Sequence, residues 1–290
     1  MTPIVSKVVF VLLILFLMIV AITRYFMNSD QPNSVQQPVN NDEIITADYL
    51  PVGGDKGELV LNKFFTISYN KKHEQPNWVA YELLADQLNK PSVSRDDMYF
   101  YADERVSTQT AEWYDYKETS YTRGHLVPAG DRSWSVEAIK ETFLMSNISP
   151  QKKEFNGGIW RELEENIRNW AREMGHLYIV SGPIFDNNCT KGDNGKTTNI
   201  TVPCDFFKAI LYIDEDGEGH YIGFVLPNEM STKPLSDYVV TIDEIEEKLD
   251  MDMFKSLVSN EKEGESIVDM DRWSFDDKKF KTRLNTWNKR

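Results

Sequence analysis

Residues 156–174 read NGGIWRELEENIRNWAREM. Trp160, Leu163, Ile167, Trp170 and Met174 recur at three- and four-residue steps, which lays one apolar stripe along a helix. At about 100° per residue, Glu164 falls roughly 60° and Arg168 roughly 100° from the centre of that stripe. Four residues apart, they are neighbours on one flank, close to the body of the domain. Asn156 stands at the helix start. One helix thus presents an amide, a carboxylate and a guanidinium in order. Taken singly, each has a plainer reading. Glu164 and Arg168 suit a surface ion pair worth about a few tenths of a kcal/mol, and Asn156-Gly157-Gly158 suits a turn and helix cap.

Upstream lies YTRGHLVPAGDRS, residues 121–133, which holds one of the four histidines, His73, His125, His176 and His220. Histidine, with an ordinary pKa near 6.5, is the side chain best suited to accept a proton at neutral pH. Phosphodiester hydrolysis needs a base for water, a cation for the charge that builds on phosphate, and help for the leaving oxygen. His125 can supply the base. Arg123 or Arg168 can clamp phosphate oxygens in a fork. Asn156, with Glu164 directly or through water, offers the hard oxygen ligands that magnesium prefers, and magnesium takes few protein ligands. A glycine at 124 is expected to let backbone and substrate approach closely, with Arg123 and His125 addressing one phosphate from two sides.

The 121–133 stretch, followed by ETFLMSNISPQKKEFNGGIWRELEENIR, residues 141–168, resembles the DNA/RNA non-specific endonuclease family, the ββα-metal nucleases. The shared pattern runs through an Arg-Gly-His core, a proline-containing loop, a Ser-Asn-Ile-x-Pro-Gln element, an asparagine and a Trp-x-x-Leu-Glu helix. Weaker similarity extends to QPNWVAYEL and YADERV upstream and to SGPIF, VPCDFFKAIL and TIDEIEEKLDMDMF downstream, covering most of residues 57–260. The resemblance implies that His125 is the general base and that Asn156 is the direct protein ligand of one Mg2+, with Mn2+ as a substitute. It implies that Glu164 acts on the metal through water, that Arg168 stabilises the transition state, and that Arg123 contacts substrate phosphate. Asn147 matches a recurrent polar position beside the substrate. The implied reaction cuts DNA and RNA without sequence preference and leaves a 5′-phosphate and a 3′-hydroxyl. One position departs from the pattern: the family often has aspartate before Arg-Gly-His, and here the residue is Thr122. Losing a partner behind a metal site typically costs about 10- to 100-fold. A catalytically weakened module of the same fold that binds nucleic acid or phosphate is therefore the alternative to an active enzyme.

A net charge of -14 argues against a polybasic, sequence-blind nucleic-acid coat. It leaves room for a local basic cleft, because screening acts within about 10 Å at 0.1 M salt. Lys152, Lys153, Arg161, Arg168 and Arg172 follow the motif and either form such a surface or solvate a helix face.

Residues 8–23, VVFVLLILFLMIVAIT, carry no charge. Their length lies between a signal-peptide core and a spanning helix, so an uncleaved membrane anchor and a cleaved signal are both open. Either places the rest of the chain outside the cytoplasm, anchored, secreted or periplasmic. Residues 1–7 precede this segment, 24–56 read as a flexible linker, and 57–290 as one nuclease domain. Export makes a disulfide between Cys189 and Cys204 the natural expectation, the alternative being two buried thiols.

LVLNKFFTISYN reads as strand, NWVAYELLADQL as strand entering helix, and HLYIVSGPIF and DFFKAILYID as strands. SVEAIKETF reads as a helix capped by Ser135, and TIDEIEEKLDMDMFKSL as one capped by Thr241. DEDGEGH, residues 214–220, reads as a turn between strands. The sum is an α+β fold with a central, largely antiparallel sheet flanked by helices, and the resemblance adds a ββα-metal finger.

Overall fold

The computed structural model describes residues 48–185, 200–258 and 264–289. All belong to one unit, Thr46–Arg290. Strands β1 (Val52–Gly53), β2 (Glu58–Leu61), β3 (Thr66–Asn70) and β4 (Gln75–Leu84) lead into a single helical turn, α1 (Ala85–Leu88). Next come β5 (Tyr121–His125), α2 (Val136–Thr142), β6 (Ile148–Lys152) and the long helix α3 (Arg161–Met174). The rest of the fold is β7 (His176–Ile184), β8 (Asp205–Ile213), β9 (Gly219–Pro227), β10 (Val239–Val240), α4 (Ile242–Leu249), β11 (Met251–Asp252) and α5 (Asp277–Asn285).

Seven strands form the central sheet in the order β10-β9-β8-β7-β4-β3-β2, and every neighbouring pair is antiparallel. The architecture is the expected α+β. Both faces of the central strands β7 and β8 are covered, and these strands are nearly continuous apolar runs. Successive side chains of β8 point to opposite faces. Phe206 and Ile210 join the core that contains Trp160, Leu163, Ile167 and Trp170 of the α3 side. Phe207, Ala209 and Leu211 join a second core with Ile242 and Ile245 of α4. By the same parity Lys208 points to the α3 side, and it is fully buried.

The apolar stripe of α3 is the contact that fixes the helix. Trp160, Leu163, Ile167 and Trp170 are each no more than 1% exposed. Burial of a large apolar side chain contributes about 1.5–3 kcal/mol. The helix ends where Gly175 takes φ 90°, a backbone conformation that glycine adopts without a Cβ penalty. Before it, a wide π-type turn, Phe155–Trp160, is kinked at Gly158 and carries Asn156.

Strands β5 and β6 form a separate ribbon, with Thr122 opposite Gln151, Gly124 opposite Ser149 and His125 opposite Ile148. Ribbon and α3 make the ββα unit. A Cβ at position 124 would lie 2.1 Å from Oε1 of Gln151. Gly124 is thus required by the close packing of Gln151 across the ribbon, and this replaces the expectation that it makes way for substrate.

Local signals held at the helix starts. Ser135 Oγ accepts from the Ala138 amide, and Thr241 forms a reciprocal capping box with Glu244. Three readings shift. LVLNKFFTISYN is two strands joined by a turn. The helix after Thr241 stops at Leu249, where Asp250 turns left-handed at φ 52°, and Met253 and Phe254 enter the second core. Paired structure also starts ahead of Gly57, since Val52 and Gly53 pair with β11. The apolar segment 8–23 and Cys189 lie outside the described residues. Among the described residues, no helix is long and apolar enough to cross a membrane.

Candidate active site

Between the ribbon and the first turns of α3 lies a cleft of about 470 Å³, lined by Arg123, His125, Asn156, Glu164 and Arg168 together with Arg95 and Arg161. Five residues singled out from sequence therefore meet. Strand β5 delivers Arg123 and His125, the π-type turn delivers Asn156, and α3 delivers Glu164 and Arg168.

The His125 ring packs against Phe100 and Phe143, with ring centroids at 5.4 and 5.0 Å. Its Nε2 is buried with no hydrogen-bond partner among the described residues, and the residue lines the cleft. Burial, reinforced by the charges of Arg95 and Arg123, pushes the imidazole down to about 3. The ring is thus neutral at physiological pH and free to accept a proton. The other histidines have structural partners: Thr201 for His73, Glu82 for His176 and Asp214 for His220.

Asn156 is oriented by the residue that departs from the family pattern. Its Nδ2 donates to Thr122 Oγ1 at 2.8 Å, and that hydroxyl donates to the Gln151 carbonyl at 3.0 Å. The amide nitrogen is held back against the ribbon, which leaves the carbonyl oxygen for the cleft. Replacing Thr122 by valine removes the acceptor at nearly constant size. Metal affinity should fall by about 10- to 100-fold, read by titrating the divalent ion against activity, while Thr122→Ser should retain it. Equal affinity in Thr122→Val and the parent would remove Thr122 from the site.

The Glu164 carboxylate accepts no hydrogen bond from any described residue, and burial raises its pKa, with the charges of Lys208 and Arg168 opposing. Beneath it, the buried Lys208 ammonium donates to the Leu126 carbonyl and to Ser181 Oγ, both at 3.2 Å, and lies 4.5 Å from the centre of the Trp160 ring. Burial lowers the Lys208 pKa. Arg168 does not pair with Glu164 as a surface i,i+4 bridge. Its Nη1 donates to Asp131 Oδ1 at 2.8 Å, and the other Asp131 oxygen accepts from Tyr81 at 2.9 Å. Asp131 is 1% exposed, so Arg168 is braced from behind while it faces the cleft.

Two expectations change here. Asn147 does not line the cleft: it is fully buried. It donates to the Val127 and Thr142 carbonyls and accepts from the Val127 amide, tying the ribbon to the loop after His125. Of the five basic residues after the motif, Arg161 and Arg168 line the cleft, whereas Lys152, Lys153 and Arg172 do not. Sequence reasoning missed Arg95, Asp131 and Lys208. Only Lys208 carried a signal, as a charge in the middle of the apolar strand DFFKAILYI.

The donor set fits a hard divalent cation. An amide carbonyl and a desolvated carboxylate that lacks a hydrogen-bond partner among the described residues share one cleft. Oxygen ligands of this kind suit Mg2+ or Mn2+.

The buried imidazole also makes stability depend on pH. In the unfolded chain His125 takes up a proton near pH 6.5, whereas in the fold it does so near 3. Between those values the unfolded state binds more protons, so stability falls as pH drops through that window. The raised pKa of Glu164 acts in the opposite direction, so the comparison that isolates His125 is with His125→Ala. That variant should lose less stability than the parent between about pH 6.5 and 4, measured by urea unfolding. Parallel curves would contradict a buried neutral ring.

A sequence profile of DNA/RNA non-specific endonucleases matches residues 47–260. The chain belongs to the DNA/RNA non-specific endonuclease family. It is 33% identical over 220 residues to Nuclease C1 of Cunninghamella echinulata var. echinulata, covering 70% of this chain and 86% of that protein. It is 31% identical over 209 residues to the mitochondrial Endonuclease G of Caenorhabditis elegans, covering 67% of each. Among solved structures it matches a chain of the EndoG/EndoGI complex with a TM-score of 0.64 and 26% identity, over 72% of this chain and 90% of that one. The ββα-metal nuclease fold expected from the motif is the fold observed.

Proposed function

We propose that this protein is a metal-dependent endonuclease that hydrolyses phosphodiester bonds of DNA and RNA. The observation that carries the reading is a neutral imidazole facing the same cleft as an amide carbonyl, a carboxylate and the Arg123 and Arg168 guanidiniums. The His125 imidazole takes a proton from the attacking water, whose oxygen bonds to phosphorus as the bond to O3′ breaks, and the departing O3′ takes a proton from solvent water. Arg123 is placed by stacking on Phe100, at 4.7 Å from the ring centre, and by its bond to the Trp113 carbonyl. Arg123 and Arg168 bind the non-bridging oxygens, where charge builds in the transition state. Asn156, and Glu164 through water, would hold Mg2+ or Mn2+, which when bound supplies Lewis-acid stabilisation of that charge. The products are a 5′-phosphate and a 3′-hydroxyl. Contacts to phosphate carry no base information, which accounts for cutting without sequence preference.

Supercoiled plasmid and a structured RNA, each incubated with Mg2+, with Mn2+ and with EDTA, test the reading. Cleavage of both substrates that EDTA abolishes is the expected result. Folded, metal-loaded protein that binds nucleic acid without cutting it would replace the enzyme by a binding module. We further propose that the nuclease domain is exported and either tethered or released at residues 8–23, and that Cys189 pairs with Cys204. The support is the uncharged apolar run and the two cysteines of the sequence.

A further inference from the structure

The family match ends at residue 260, yet the segment that follows packs along the helix that carries the site. Trp170 Nε1 donates to the Ser274 carbonyl at 2.7 Å, and the Asp276 amide donates to Asn166 Oδ1 at 3.0 Å. Arg283, with no exposure, donates to Glu162 at 2.5 Å and to the carbonyls of Ser231 and Lys233. The last turn, Trp287–Lys289, lies against the kink that carries Asn156. A Cβ at Gly158 would come within 2.7 Å of Asn288 Oδ1.

This segment also reaches a residue of the cleft. The Arg161 guanidinium carbon lies 4.1 Å from the centre of the Trp287 ring. Arg161 Nε donates to Glu165 at 2.9 Å, and Glu165 is held in turn by Lys279 at 3.4 Å. A cation–π contact and one ion pair thus hold the guanidinium, while Nη1 and Nη2 have no hydrogen bond to any described residue. A planar cation held on one face with two donors free at a cleft mouth is the form that binds phosphate bidentately.

We propose that Arg161 is a phosphate contact for the nucleic-acid backbone and that Trp287 is its positioning residue, so that residues 264–289 complete the substrate cleft. The inference rests on the nuclease reading for its substrate. A guanidinium pinned to an indole loses less side-chain freedom when it binds than one left in solvent.

The test measures binding without turnover. A fluorescein-labelled DNA duplex and the matching RNA duplex are titrated in EDTA across salt, using the full chain. Arg161→Ala and Trp287→Ala should each weaken binding several-fold. Arg161→Ala should also lower the slope of log affinity against log salt by about 1, as expected for one lost phosphate contact. Trp287→Phe should restore most of the affinity, and the double variant should be no worse than Arg161→Ala alone. With Mg2+, the loss should fall more heavily on KM than on kcat, which separates substrate capture from chemistry. A Trp287→Ala protein of parental affinity overturns the proposal, and so do additive losses in the double variant. Arg161 is exposed and its substitution leaves the core intact, so an unchanged salt slope in Arg161→Ala overturns the proposal even if Trp287→Ala proves unstable. Because binding is read in EDTA, a parent that binds but fails to cleave counts against the catalytic reading alone. A parent that binds neither duplex overturns this proposal.

Discussion

Replacing His125 with alanine should lower the cleavage rate by about 10²- to 10⁴-fold, the range that a positioned base contributes. Affinity for nucleic acid in EDTA should change little. The variant isolates the base because the ring makes no hydrogen bond to another described side chain. The bond from Trp160 Nε1 to residue 125 uses the backbone carbonyl and survives. The loss should therefore appear in kcat at saturating substrate and leave Kd alone. Removing the ring opens a gap between Phe100 and Phe143, so added imidazole should recover part of the rate. Cleavage within about fivefold of the parent, by protein with a cooperative unfolding transition, would take the base role from His125.

Arg168→Ala should cost both stability and rate, and the stability loss should be the larger of any single change at the site. Arg168 is the ion-pair partner of Asp131, whose carboxylate is 1% exposed. Truncating one member of a buried pair costs about 3–5 kcal/mol where the other charge is left uncompensated, and here the charges of Arg132 and Lys208 still act on Asp131. Tyr81 remains to donate one hydrogen bond to Asp131 and sets the lower end of that range. The decisive comparison is with Arg168→Ala combined with Asp131→Ala. If the stranded carboxylate causes the loss, the double variant should be more stable than Arg168→Ala alone in urea unfolding, while remaining as slow in cleavage. A double variant less stable than either single would place the cost in lost packing instead. Arg168→Lys keeps a charge beside Asp131 and should recover stability better than rate, because an ammonium lacks the fork that grips phosphate.

The long helix illustrates what is legible without coordinates. Its apolar stripe, the caps at Ser135 and Thr241 and the alternation in the strands all arise between residues near each other in the chain. Intrinsic geometry projects them onto known faces, so periodicity alone locates them. The same holds for the order of Arg123, His125, Asn156, Glu164 and Arg168, whose family pattern is contiguous enough to read as one motif. The end of α4 was less legible, because Met251, Met253 and Phe254 continue an apolar pattern that suits a helix. In the fold they are drawn into the second core after the left-handed turn at Asp250.

The sequence by itself therefore determined the fold class, the site-bearing helix and the residue types of the candidate cleft. Tertiary structure alone decided how those residues are held. Asn147 and Gly124 looked like substrate positions because the motif contains them, yet one ties a loop to the ribbon and the other makes room for Gln151. Asp131, Lys208 and Arg95, like the brace from Trp287 to Arg161, gave little or no local sign of their place. Each acts on a residue far away along the chain, through a contact that exists only once sheet and helices have packed. The physical reason is range: turns, caps and periodicity are set by neighbours in sequence. The charge state of an imidazole, the orientation of an amide and the partner of an arginine are set by neighbours in space.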